Sequence, residues 1–472
     1  MEMIAYFILA LGYLILFGIS FHTARRDPFK VLSVWLIALL PHELVLRWLR
    51  NLTDLPGVVV TGVSLWKEVV LVALILVVLL LWIRKKPRTR VLKLDWFWGS
   101  LIAVMLIAVL SVLLSSDLVR ALAALREYLE PMLVLGIVLV LRPSRESLAK
   151  LLQAWLVVGI MMAALGLWQG LGWQKVDYVR WGFGEPSGQI GIPGTTIMGD
   201  RYIRPPSTVT GPNELAMHMA LLILVSGGSF FEMQKSRRWL LMVGVALFVF
   251  CLILTYSRST LVGFIVGGAL LLFFYRKRFF DLVKNRPTVW ISVVILGIVA
   301  AALLAMKSGM FLLIKDTVFN LKNEYHIRDI AGAIQYLVRH PEGVGMGFVG
   351  PRQGVFFPQP SKFSVEGSLF QIAMEMGVWG LLIWLVFWIV GLQRLLHIRN
   401  NVRDGLLRTI EITAFTGWVT ALIVFLFLPM MQSLTLMSWL WFLLGAGLIA
   451  KDLEEDWLLK DEYNMRPSAE PL

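Results

Sequence analysis

The chain has 472 residues, of which 58% are hydrophobic and only 16% charged, with a mean hydropathy of +0.75. A soluble protein carries about a quarter of its residues as Asp, Glu, Lys or Arg, so a soluble globule, a disordered chain, a coiled coil and a disulfide scaffold built on one cysteine, Cys251, are excluded. The net charge of +13 does not point to nucleic acid, because the basic residues sit in short clusters between apolar runs, as in a membrane protein that fixes its orientation.

Thirteen apolar runs reach the length of about 20 residues that spans a bilayer. They lie near 3–21, 29–46, 62–83, 95–114, 120–141, 148–171, 213–231, 239–256, 259–275, 288–306, 367–391, 409–428 and 433–450. The first has no basic segment before it and no small-residue cleavage site, so it reads as a span and not a cleaved signal. Every odd-numbered run up to the eleventh ends in a basic cluster. These clusters are Arg25, Arg26 and Lys30; Arg84 to Lys93; Arg142 to Lys150; Lys235 to Arg238; Arg276 to Arg286; and Arg394 to Arg408. The positive-inside rule puts these loops in the cytoplasm, the N-terminus outside and the tail 451–472 inside. The expected fold is all-α: one integral membrane domain over 1–472, a polytopic bundle of about 12–13 helices.

Two loops expected on the outer side, 172–212 and 307–365, are too long to be simple connectors, and long loops in compact proteins are usually functional. The first is rich in Gly and Pro, with Arg180, Arg201 and Arg204 among the turns, and reads as irregular. The second contains 325–340, in which Ile327, Ile330, Ile334, Leu337 and Val338 recur near helical spacing. That pattern predicts an amphipathic helix, at the membrane–water boundary or packed on the protein.

Several patterns carry little. Gly345, Gly347 and Gly350 spell G-x-G-x-x-G, but without the strand before and helix after that a dinucleotide site requires; a turn-rich loop is the better reading. Glu214 and His218 stand one helical turn apart with no third ligand near in sequence, so no metal is expected. More informative are charges expected at one depth on the outer side: Arg204, Arg258, Arg328 and Glu366. A single interfacial arginine often snorkels to lipid phosphate. Three around irregular loops with a carboxylate beside them favour an anionic substrate, since guanidinium groups make forked hydrogen bonds to phosphate oxygens.

Four segments give the chain a family resemblance. They are RPPSTVTGPNELA at 204–216, TYSRSTLVG at 255–263, RDIAGAIQYLVRHPEGVGMG at 328–347 and EGSLFQIAMEMGVWG at 366–380. In content, order and spacing they resemble the O-antigen ligase and polymerase superfamily of bacterial membrane glycosyltransferases. The family often has His-Asn where this chain has Glu366-Gly367, followed by glycines at the spacing of Gly377 and Gly380. The ligases that load lipid A core use that histidine, so the departure leaves ligase and polymerase both open.

The resemblance implies transfer of a saccharide from an undecaprenyl-diphosphate carrier to an acceptor glycan or glycolipid, at the outer face of a bacterial plasma membrane. No cofactor, metal or nucleic acid is expected. It implies catalytic roles for Glu366, as a base, and for Arg258. Arg204, Arg328, Arg201, Asn213 and His340 are the expected substrate-binding residues. The alternatives are a polytopic transporter or lipid-linked oligosaccharide flippase, for which Lys67, Glu68, Glu130 and Glu375 are the candidate midplane groups, and a peptidoglycan polymerase of related architecture. The topology is directly testable. A cysteine placed in 84–93 should be protected from an impermeant thiol reagent in intact cells, and one in 186–194 should be labelled. The opposite pattern would put both long loops in the cytoplasm.

Overall fold

The structure, a computed structural model, describes residues 2–52, 57–85, 95–183, 194–197, 200–233, 238–285, 324–350, 365–399 and 402–465. The first part of the chain forms α1 (Glu2–Arg26), α2 (Pro28–Leu39), α3 (His42–Leu52), α4 (Gly57–Ser64), α5 (Trp66–Lys85), α6 (Trp96–Leu113), α7 (Leu118–Leu141), α8 (Arg145–Gly172) and α9 (Lys175–Arg180). A hairpin of β1 (Gly194–Ile197) and β2 (Asp200–Ile203) follows, then α10 (Pro212–Glu232), α11 (Arg238–Leu254), α12 (Arg258–Phe274) and α13 (Arg276–Asn285). The remainder forms α14 (Glu324–Arg339), α15 (Ser368–Arg399), α16 (Gly405–Phe425), α17 (Leu434–Leu448) and α18 (Ala450–Met465).

The helix starts follow from side chains that accept from exposed backbone N–H groups. Asp95 caps α6 through Phe97 and Trp98, Asp404 caps α16 through Leu406 and Leu407, and Ser433 caps α17 through Leu436. Between these caps the sequence is largely Leu, Val, Ile, Ala and aromatic residues. Among the described residues seven helices are long and apolar enough to cross a membrane, and up to ten if each of three bent pairs is one span. The chain is a polytopic helical membrane bundle. The bends lie between α2 and α3 (52°), at Leu40 and Pro41; between α12 and α13 (79°); and between α17 and α18 (54°). The run at 288–306 and much of the loop at 307–365 lie outside the described residues.

One expectation for 172–212 changes. It holds a short helix, α9, and an antiparallel hairpin that pairs Gly194 with Ile203 and Ile197 with Asp200. Thr195, Thr196, Ile197, Tyr202 and Ile203 are of the β-branched and aromatic types that suit a strand.

The bundle is built around α10 and α16, in which 83% and 78% of the most apolar window is buried, against 11% for α1. Around them Trp155 of α8 stacks on Trp439 of α17 at 4.0 Å. Close approach of α12 to α16 needs small residues, as helix pairs in membranes generally do. Gly263 and Gly267 of α12 face Thr420 and Thr416 of α16. The amphipathic helix α14 buries Ala333 and Leu337 against Ala373 and Met374 of α15, and keeps Ile334 and Val338 exposed.

The two ends of the bundle differ. One is a rim of ion pairs: Arg142 with Asp452 and Asp456, Arg145 with Asp404, Arg394 with Asp95, and Arg278 with Glu232. These pairs join the basic loops that follow the third, fifth, seventh, ninth and eleventh apolar runs, so those loops share one end. The opposite end, called the loop end below, carries Arg204, Arg258 and Glu366.

A Cβ at Gly267 would lie 2.1 Å from Thr420 Oγ1 and 2.9 Å from the Thr416 carbonyl. Gly267→Val should therefore destabilise the bundle by about 1–3 kcal/mol, the usual cost of overpacking. Thermal unfolding in detergent reads this directly, and an unchanged midpoint would contradict the α12–α16 packing.

Candidate functional site

The loop end is assembled by three turns. The first is 204–211, between β2 and α10. Ser207 has φ of 52°, a strained value for a residue with a side chain. It is held there by Gln169 of α8, whose Oε1 accepts from the Ser207 amide at 2.7 Å, and by its own Oγ, which donates to the Met162 carbonyl at 2.7 Å. On the other side Arg47 of α3 donates to the Thr210 carbonyl at 2.6 Å and lies 4.4 Å over the Phe183 ring. The second turn, 255–257, joins α11 to α12 and has the same kind of strain at Tyr256, φ 52°.

These two turns bring two expected residues together. Arg204 donates through Nε to the Thr255 carbonyl at 2.6 Å, and through Nη2 to Asn213 Oδ1 in the first turn of α10. Arg258 is the first residue of α12 and is exposed. Burial, and then the like charge of Arg258, push the Arg204 guanidinium down to about 10, which still leaves it cationic at neutral pH. Two positive side chains at the N-terminal, positive end of α12 make a strongly electropositive spot.

The third turn, 426–433, joins α16 to α17 and carries the connection to Glu366. Glu214, next to Asn213, accepts from the Thr210 amide at 3.2 Å and from the Ser433 hydroxyl. The Ser433 amide donates to the Met430 carbonyl, and the amides of Met430 and Met431 donate to Ser368 Oγ. Ser368 also donates to the Leu428 carbonyl at 2.8 Å. It stands two residues after Glu366, with Gly367 between them at φ 100°. A Cβ at Gly367 would lie 2.5 Å from the Leu426 carbonyl, so only glycine fits. Glu366 is half-buried at the mouth of α15.

The glycines of 343–350 do not form a nucleotide loop. Gly343, Gly345, Gly347 and Gly350 all have positive φ, and three are pressed against other elements. Cβ atoms there would lie 2.3 Å from the Met374 carbonyl, 2.7 Å from the Arg120 carbonyl, and 2.7 Å from Gln371 Nε2, for Gly343, Gly347 and Gly350 respectively. The segment is set into a break in α15 at Gly377, φ 74° and ψ 175°. The Val378 amide donates to the Pro341 carbonyl at 2.8 Å, and the Met374 carbonyl accepts from the Val344 amide at 2.7 Å. Beside the break, Glu375 accepts from the Tyr128 hydroxyl at 2.6 Å and from the Gly347 amide at 3.3 Å.

Other expected residues fall differently. His340 follows α14, exposed, with Nδ1 3.2 Å from Glu342 Oε1 and its ring stacked on Tyr336 at 4.6 Å. Arg328 lies on α14 and Arg201 on β2, but their side chains are outside the described residues. His218 sits one turn deeper than Glu214, and neither ring nitrogen has a hydrogen-bond partner among the described residues. Among the described residues no three His, Cys, Asp or Glu side chains gather at one point. Of the groups noted for a transporter, Glu68 is paired with Lys67 at 2.8 Å and Arg126 at 3.4 Å. Gln169, Ser433 and Tyr128 were not singled out in the sequence, because each acts on a partner far away in the chain.

Residues 243–385 match the O-antigen ligase family. That segment is of the O-antigen ligase superfamily. It contains Arg258, Arg328, His340 and Glu366, and the Gly377 break; Arg201, Arg204 and Asn213 precede it. The match covers less than half of the chain, and with the helical bundle it supports the reading of a membrane protein of the O-antigen ligase type. No curated protein matches the chain at a significant level.

Proposed function

We propose that the chain moves a saccharide from undecaprenyl diphosphate to a hydroxyl group of an acceptor glycan or glycolipid. On this reading the loop end faces the outside of a bacterial plasma membrane. Residues 1–472 are one integral membrane domain, with 172–212 and 307–365 outside and the tail 451–472 in the cytoplasm. Ligation and polymerisation share this chemistry.

The observation that carries the proposal is the convergence of Arg204 and Arg258 at the start of α12. Two like charges so close are stabilised by a polyanion, and a diphosphate supplies negative charge and oxygen acceptors in the geometry a guanidinium prefers. The acceptor oxygen attacks the anomeric carbon of the saccharide. The bond from that carbon to the diphosphate oxygen breaks, and the diphosphate leaves with the electron pair. Arg258 and Arg204 stabilise the charge that develops on it. Glu366 takes the proton from the acceptor hydroxyl. Asn213 holds Arg204 in place, and Arg201, Arg328 and His340 bind the donor or acceptor from the two long loops. The arginines supply the positive charge that a metal provides in other transferases, so the reaction runs without one.

Purified protein in detergent, with no ion gradient, should transfer saccharide from the lipid diphosphate, which a transporter or flippase cannot do. Arg258→Lys should lose nearly as much as Arg258→Ala, because a point charge does not reproduce a forked contact. The loss expected from removing a charge-assisted contact to a sequestered anion is about 2–5 kcal/mol, or roughly 30- to several thousand-fold in rate. Glu366→Gln should lose about a hundredfold or more, while Glu366→His should keep far more activity. Wild-type rates in both variants, at equal protein levels, would remove Glu366 from catalysis.

Chelation gives an independent check. Activity should survive EDTA, and a complete loss restored by a divalent ion would contradict the arginine-only account.

A further inference from the structure

The break in α15 has a construction that the proposed chemistry does not explain. In an unbroken helix the Val378 amide would bond to the Met374 carbonyl, four residues earlier. Here both groups are turned over to another segment: Val378 donates to Pro341, and Met374 accepts from Val344. Residues 341–347 thus stand in for the missing helical bond. The part of α15 on the loop-end side, from Ser368 to Met376, becomes a short half-helix fixed at two points. At its start Ser368 is tied to Leu428, Met430 and Met431. At its far end it is tied to the inserted segment.

Glu375 sits on that second tie. One carboxylate oxygen accepts from the Tyr128 hydroxyl of α7 at 2.6 Å, the other from the Gly347 amide of the inserted segment at 3.3 Å. Glu375 is 1% exposed and Tyr128 2%, so both are shut away from water. A single side chain therefore joins three elements: α7, α15 and the segment that follows α14. The next residue after Gly347, Phe348, lies under Arg120 of α7 at 4.8 Å, which closes the same junction from its surface.

We infer that Glu375 is a positioning residue. It locks residues 341–347 into the break in α15 and so holds the half-helix that presents Glu366, together with the adjoining α14. It does not touch the substrate, and its effect on the reaction runs through Glu366. The catalytic part of this inference rests on the function proposed above; the structural lock does not.

Three variants test it. Glu375→Leu keeps the bulk of the side chain but can accept from neither Tyr128 nor Gly347. Tyr128→Phe removes one donor only and guards against a Glu375→Leu chain that fails to fold. Hydrogen exchange reads the lock without any activity measurement: the amides of Val344 and Val378 should exchange about tenfold faster or more in either variant, while those of α10 keep their protection. Unchanged exchange at Val344 and Val378 would overturn the lock, whatever reaction the protein performs.

Turnover reads the coupling. Glu375→Leu should lower kcat about tenfold or more, with the KM for the lipid-linked donor held within about twofold. Made in a chain that already carries Glu366→Gln, the same change should cost less than about twofold further, because two residues acting through one group are not additive. An equal loss in both backgrounds would show that Glu375 acts independently of Glu366 and would overturn the positioning role. If the wild-type chain transfers no saccharide, the functional reading fails, and the exchange measurement alone decides the lock.

Discussion

A backbone amide or carbonyl released inside a membrane bundle has no water to turn to, and leaving it unpaired costs several kcal/mol. The break in α15 at Gly377 releases such a pair, and much of the loop end is arranged around their recapture. The inserted segment must bring a carbonyl, Pro341, and an amide, Val344, to the right depth within four residues. That requires the chain to turn tightly against neighbouring backbone, which is why Gly343 lies where any Cβ would strike the Met374 carbonyl. Gly347 meets the same limit against Arg120. Glycine is the one residue that combines positive φ with so close an approach.

The gain is rigidity where an exposed loop would otherwise be loose. Catalytic groups must be held to within a fraction of an ångström, and groups on packed helices are held better than groups on loops. Glu366 lies at the mouth of a half-helix tied at both ends. Arg204 and Arg258 are placed by two strained turns, at Ser207 and Tyr256, each with φ of 52°. Strain of this kind costs about 1–3 kcal/mol per residue and persists only where surrounding contacts over-determine it. Gln169 and the Met162 carbonyl supply those contacts for Ser207. A path of hydrogen bonds, continued through the peptide link between Asn213 and Glu214, runs from Arg204 by way of Ser433 and Met430 to Ser368 and links the arginine side to the carboxylate side. In the proposed reaction this path fixes the distance between the leaving diphosphate and the base.

The parts of this design legible in the sequence were those written in local pattern. Apolar runs marked the spans. Arg204 and Asn213 could be grouped because nine residues separate them. The pairing of Glu214 was not legible. Its neighbour His218, one turn along α10, invited a two-ligand reading, whereas its partners are the nearby Thr210 amide and the Ser433 hydroxyl, 219 residues away. Tyr128 and Glu375 are 247 residues apart, and neither segment carries a sign of the other. The glycines at 343–350 were recognisable as turn formers, but not as an insert in a helix, because the break they fill lies at Gly377, a glycine the family spacing marks without any sign that the helix is interrupted there. The hairpin at 194–203 was hidden by surrounding glycines and prolines, although Thr195, Thr196 and Tyr202 are good strand residues.

In the proposed reaction Arg204 and Arg258 together hold a diphosphate. The most direct measurement is equilibrium binding of undecaprenyl diphosphate and undecaprenyl monophosphate to the purified protein, in the same detergent and salt. If the paired guanidinium groups clasp two phosphates, the diphosphate should bind about tenfold or more tightly than the monophosphate, and Arg204→Ala should remove most of that preference. Equal affinity for the two lipids in the wild-type protein would contradict the account.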